Sequence, residues 1–178
     1  MILREARVQG AFVIELEPSH DERGFFARTF SAAEFAGRGL TAAVAECSVS
    51  FNPVRFTLRG LHYQQQPYEE AKLVRCTRGS IFDVVVDLRP GSETYLEWDS
   101  AELTAENRRA LYIPEGCAHG FLTLADDSEV HYQISQSYAP DAAAGVRWND
   151  PLLGIDWPAE PAAISTRDAS FPDLVSAR

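Results

Sequence analysis

Residues 72–88, KLVRCTRGSIFDVVVDL, leave this chain few folds. Two runs rich in Val, Ile and Phe flank Arg78-Gly79. Such residues favour extended backbone, and the Gly suits a tight turn, so Lys72–Thr77 and Ser80–Leu88 are expected to pair as an antiparallel hairpin. In the second run, alternation puts Phe82, Val84 and Val86 on one face and Ile81, Asp83, Val85 and Asp87 on the other. Apolar residues stand on both, so both faces of this strand are expected to be covered. A jelly roll whose outer face packs on a second subunit would do this. The pattern recurs at Ala11–Leu16, Thr57–Gln64, Arg109–Ile113, Gly120–Leu124 and Glu129–Gln136, each bounded by Gly, Pro, Asp or Asn. Asp126-Asp127-Ser128 reads as the turn joining the last two.

Only Ser31–Gly37 reads as a helix. Ser31 is placed to cap it, Glu34 to complete a capping box and Gly37 to end it. Many short strands with a turn every ten residues or so predict an all-β protein, a jelly-roll sandwich or barrel with few helices. At 178 residues the chain suits one domain, residues 1–178, whose last thirty residues, rich in Pro and Trp, form a tail wrapped on the barrel.

A net charge of −10 speaks against a nucleic-acid partner, which requires a basic face. It leaves room for a small anion held by a few gathered arginines. The apolar run Ala11–Ile14 is too short to cross a membrane or serve as a signal-peptide core, and Cys47, Cys76 and Cys117 have no zinc-type spacing. A soluble cytoplasmic protein with free thiols is expected.

Polar side chains interrupt the apolar runs at Arg59 and His62 of TLRGLHYQ, Lys72, His119 and Tyr132. Each alone reads as a structural residue; five together in the middle of the chain point to a shared cavity. There is no HxH pair, and His62 with His119 would still need carboxylates, so no metal is expected. No G-x-S-x-G, G-x-G-x-x-G or P-loop occurs, and no cofactor is expected. The set that remains suits proton transfer: His as base, Tyr as acid, Lys or Arg for a developing oxyanion. Strict alternation, however, puts Arg59 and His62 on opposite faces, so a bulge or kink is expected at Gly60. His131, next to Tyr132, is expected to face away from the site.

Strings spread along nearly the whole chain then resemble one family: DERGFF (21–26), TLRGLHYQ (57–64), AKLVRCTRGSIFDVVVDLRPGS (71–92), LTAENRRALYIPEGCAHGFLTL (103–124), YAPD (138–141), WNDPLLGIDWP (148–158) and ISTRD (164–168). They resemble the dTDP-4-dehydrorhamnose 3,5-epimerases and their relatives on other dTDP-4-keto-6-deoxysugars. The resemblance implies a cupin-type jelly roll and a homodimer with exchanged N-terminal strands, without metal or cofactor. It implies His62 as base oriented by Asp168, Tyr132 as acid, and Lys72 at the C4 oxygen of an enolate. Arg59 and His119 would line the sugar pocket, Arg23 would reach the nucleotide, Tyr138 would stack on the thymine, and Arg167 would contact substrate.

The chain departs from the family pattern at Glu46 and Ser48, where Gln and Asn are usual, at Arg28 in place of Glu, and near Ala143. Arg28 and Glu46 are expected to compensate each other. The implied activity is epimerisation at C3, C5 or both, in rhamnose or specialised deoxysugar biosynthesis. A cupin metalloenzyme and a non-catalytic sugar-nucleotide binder are the alternatives.

Overall fold

The β-branched and aromatic runs become short strands in the computed structural model, which describes residues 1–174. They are β1 (Ile2–Glu5), β2 (Phe12–Glu15), β3 (Ser19–Asp21), β4 (Gly24–Phe26), β5 (Glu46–Asn52), β6 (Thr57–Gln64) and β7 (Lys72–Arg78). After these come β8 (Ser80–Asp87), β9 (Trp98–Thr104), β10 (Ala110–Ile113), β11 (Cys117–Thr123), β12 (Ser128–Ile134), β13 (Ala143–Gly145) and β14 (Ala163–Ile164). Two sheets face each other in a jelly roll. One runs β1-β2-β10-β7-β12-β5; the other runs β13-β6-β11-β8-β9, with β14 also beside β6. Every pairing is antiparallel except that of β14 with β6.

The expected hairpin over 72–88 is β7 and β8, but the two strands belong to different sheets. Gly79 makes the crossing at φ +74, where a Cβ would fall 2.5 Å from Ser128 Oγ. One end of the sandwich is filled by Val74, Cys76, Ile81, Val85, Leu103, Leu111, Phe121 and Val130 from both sheets. Each fully buried Leu, Ile or Phe side chain there contributes about 1.5–3 kcal/mol. The other end is left open for polar side chains.

Both faces of β8 are covered, as its sequence requires, but not as expected. Val84 and Val86 pack under Val146, Leu153, Ile155 and Trp157 of the same chain, so the chain's own tail takes the place foreseen for a second subunit. The helix α1 spans Ala32–Ala36, and Ser31 Oγ accepts the Glu34 N–H at 3.4 Å. The reciprocal half of the capping box is replaced: the Glu34 carboxylate lies 3.7 Å from the N-terminal amine and 3.9 Å from Arg28. A second short helix, α2 (Thr166–Ala169), follows β14. No helix of the described residues is long and apolar enough to cross a membrane.

Candidate active site

A pocket of about 300 Å³ opens between the sheets at the end left free of apolar core. Five strands supply its polar walls. β5 offers Glu46, Ser48 and Ser50; β6 offers Arg59 and His62; β7 offers Lys72; β11 offers His119; β12 offers Tyr132. Alternation explains β5: its polar residues point into the pocket, while Cys47, Val49 and Phe51 face outward and are exposed. The usual apolar-in pattern is inverted, so no strand was expected there.

Arg59 and His62 reach the same pocket because β6 is irregular between them. His62 pairs with His119 and Arg59 with Phe121, so three steps on β6 match two on β11. Gly60 absorbs the extra residue at φ +125, and any Cβ there would meet Gly120 Cα at 2.5 Å and the His119 carbonyl at 2.9 Å. The kink expected at Gly60 is present, and close approach of two backbones is what requires glycine. Arg59 is then fixed by Asn52, whose Oδ1 accepts from its Nε at 2.7 Å.

The His62 ring is set by α2. Its Nε2 lies 2.8 Å from Asp168 Oδ1, and the other oxygen of Asp168 accepts the Gly60 N–H at 3.1 Å. Ser165 caps the helix by accepting the Asp168 N–H, which holds the carboxylate in place. Burial pushes the Asp168 carboxyl up, but hydrogen bonds from His62, Gly60 and Ser165 outweigh it and hold the group below the ordinary carboxylate range. An ionised Asp168 fixes the proton of neutral His62 on Nε2 and leaves Nδ1 with its lone pair. The edge of Phe171 lies against the imidazole, ring centres 5.9 Å apart.

Facing His62 from the other sheet is Tyr132. Burial drives its phenol pKa up, against smaller opposing effects of Ser50 and Arg59. It therefore keeps its proton until it meets a strong base. His119 is buried, with Nε2 2.7 Å from Asp83 Oδ1. The Asp83 carboxyl is itself pushed up by burial, although His119 and Lys72 oppose the shift. Asp83 was visible in the sequence as a charge alternating with apolar residues, but nothing there tied it to His119. Lys72 Nζ lies 2.9 Å from Glu70 Oε1 and donates to the His62 carbonyl at 3.3 Å. Glu70 and Gln64 also line the pocket; Glu70 lies outside every matching string, and Gln64 ends TLRGLHYQ but was assigned no role.

At the mouth stand Tyr138, Arg167 and Ala143. Glu46 Oε1 accepts the Tyr138 N–H at 3.2 Å. Arg28 instead lies beside Glu34, so the expected Arg28–Glu46 compensation does not form within the chain. Arg23 is likewise away from the pocket: it pairs with Asp21 on the exposed β3–β4 hairpin. His131 is not among the lining residues, in keeping with its place on the opposite face of β12.

The family model for dTDP-4-dehydrorhamnose 3,5-epimerase matches residues 5–176. The chain belongs to the dTDP-4-dehydrorhamnose 3,5-epimerase family. The epimerase of Methanothermobacter thermautotrophicus is 46% identical over 170 residues, covering 94% of this chain and 91% of that protein. The Bacillus anthracis dTDP-4-dehydrorhamnose 3,5-epimerase, solved with TDP and pyrophosphate bound, superposes with a TM-score of 0.92 at 36% identity, covering 97% of this chain and 99% of that one. A 3'-monoepimerase from Streptomyces bikiniensis, solved with dTDP-quinovose, gives a TM-score of 0.86 at 36% identity, with 94% and 85% covered. The chain is thus an epimerase, an isomerase-class enzyme of sugar biosynthesis. Of the three activities open from the sequence, the metalloenzyme and the non-catalytic binder are not favoured.

Proposed function

We propose that this chain, as a single domain, inverts C3, C5 or both of a dTDP-4-keto-6-deoxyhexose through an enolate, without metal or cofactor. The observation that supports the reading is that His62 on β6 and Tyr132 on β12 line one pocket from opposite sheets, where one can serve as base and the other as acid. A sugar ring lying between the sheets presents one face to each. The C4 ketone acidifies its neighbouring C–H bonds. His62 Nδ1 takes a proton, Asp168 supports the imidazolium, and the electron pair moves to the C4 oxygen beside Lys72. Tyr132 returns a proton to the opposite face, which inverts the carbon. Each placed acid or base contributes roughly 10²–10⁴-fold. His119, Arg59 and Ser48 contact the sugar and diphosphate, Tyr138 stacks on the base, and Arg167 and Glu46 border the nucleotide.

The working unit is a cytoplasmic homodimer with exchanged N-terminal strands. The β3–β4 hairpin supports this: Phe25 and Phe26 are 44% and 77% exposed, an apolar surface awaiting cover. Seated on a second copy, the hairpin carries Arg23 to the partner's nucleotide and Arg28 toward the same region. The test is product analysis by NMR after incubation with dTDP-4-keto-6-deoxyglucose. An epimer at C3, C5 or both is expected; unchanged substrate overturns the reading.

A further inference from the structure

Lys72 is the chain's only lysine; every other basic side chain is an arginine or a histidine. It is also among the few buried charged groups, 8% exposed, and it lies in the pocket wall. An ammonium carries three N–H donors. Nζ donates one to the His62 carbonyl at 3.3 Å and is ion-paired with Glu70 Oε1 at 2.9 Å, so the ammonium is held at two points and keeps a donor for substrate. Glu70 is equally buried, at 8%, and lines the same pocket. Its Oε1 is held by Lys72, while its Oε2 is buried with no hydrogen-bond partner among the described residues. A buried carboxylate oxygen left unpaired is destabilising, so Glu70 is poorly explained as a contribution to fold stability. Its one polar partner is the lysine that faces the substrate.

We infer that Glu70 is a positioning residue for catalysis: by its ion pair, and together with the N–H bond to the His62 carbonyl, it holds the Lys72 ammonium at two points and so aims a free N–H at the ketone oxygen of the bound sugar. This rests on the proposed enolate chemistry. The clamp also links the two halves of the reaction, since the backbone that carries the base His62 accepts from the cation that receives the charge. A lysine alone on a four-carbon stem would sample many directions; held at two points it offers its donor in one.

Glu70→Ala and Glu70→Gln, with lysine labelled at ¹³Cε, test this. One lysine gives one NMR signal, so Lys72 is read without assignment. In the wild type the two ε protons are expected to be inequivalent, the mark of a held ammonium; in Glu70→Ala they merge. Turnover number should fall roughly 10–100-fold in Glu70→Ala, with KM moved much less, because the contact matters most once the oxygen is charged. Glu70→Gln, which keeps an oxygen beside Nζ, should recover most of the rate and keep the protons inequivalent. Merged ε protons in the wild type, or a Glu70→Ala turnover number within about threefold of wild type, would overturn the clamp. If the wild type shows no turnover but Lys72 is held and is freed by Glu70→Ala, the clamp stands and the assigned reaction falls.

Discussion

Asp168→Asn separates a carboxylate that orients His62 from one that merely fills space. The two oxygens of Asp168 accept separately, from His62 at 2.8 Å and from the Gly60 N–H at 3.1 Å. An amide has one acceptor and one NH₂. With its NH₂ toward Gly60, two donors would oppose each other inside the fold. With its oxygen toward Gly60, the backbone is satisfied but the NH₂ confronts His62 Nε2. The ring must then carry its proton on Nδ1, and its lone pair no longer faces substrate. Losing a hydrogen bond to a charged group costs about 1.5–3 kcal/mol, or roughly 10–150-fold in rate. The wrong tautomer adds to this; in Ser-His-Asp enzymes the same change lowers turnover about 10⁴-fold. A fall of roughly 10²–10⁴-fold in turnover number is therefore expected, with KM little changed because Asp168 lies behind the imidazole. The assay is loss of the C3 and C5 proton signals of dTDP-4-keto-6-deoxyglucose in D₂O. A rate within about threefold of wild type, in a variant of unchanged melting temperature, would refute the reasoning. The variant also has a pH signature. Because the folded Asp168 carboxyl is held below its unfolded value, its stabilisation is complete above the ordinary carboxylate range, near 3.9, and drains as pH falls through the folded value. Wild-type melting temperature should drop more steeply than that of Asp168→Asn as pH falls below about 5.

Three further outcomes are expected. Tyr132→Phe should let deuterium enter from the His62 side while inversion slows by roughly 10²-fold or more, seen as labelled substrate of unchanged configuration; inversion at the wild-type rate would remove Tyr132 as the acid. Gly60→Ala forces a side chain into a φ of +125 and onto the backbone of β11, and should lower the melting temperature by at least about 5 °C; a shift under about 2 °C would contradict the close approach. Burial raises the thiols of Cys76 and Cys117 to about 11 and about 12, so a thiol reagent at pH 8 should leave both unmodified in the native protein, as peptide mass mapping would report; labelling of either would contradict their packing.

The fold was legible where burial and side-chain period agree. Thr57–Gln64 has the bounds expected, and β7, β8 and β12 differ from expectation only at their ends. It was illegible where function inverts the pattern, as in β5, whose polar residues face inward to the pocket. It was also illegible where strands are short and exposed, as in β3 and β4. The irregularity at Gly60 could be foreseen because two polar residues three apart had to share a cavity. Residues joined by distant chain segments were harder. Asp168 was reachable only through a resemblance, and the Asp83–His119 pair through neither period nor motif. Such pairs are set by tertiary register, which local sequence does not encode. The covering of β8 by the chain's own tail belongs with them: alternation required a cover and could not say whose.

The most direct measurement follows deuterium from D₂O into dTDP-4-keto-6-deoxyglucose, carbon by carbon, with wild type and His62→Ala side by side. Wild type is predicted to place deuterium at C3, C5 or both with inverted configuration at the labelled carbon, and His62→Ala to place none above the rate without enzyme. Inversion without deuterium, or equal labelling by His62→Ala, would contradict an enolate formed by His62.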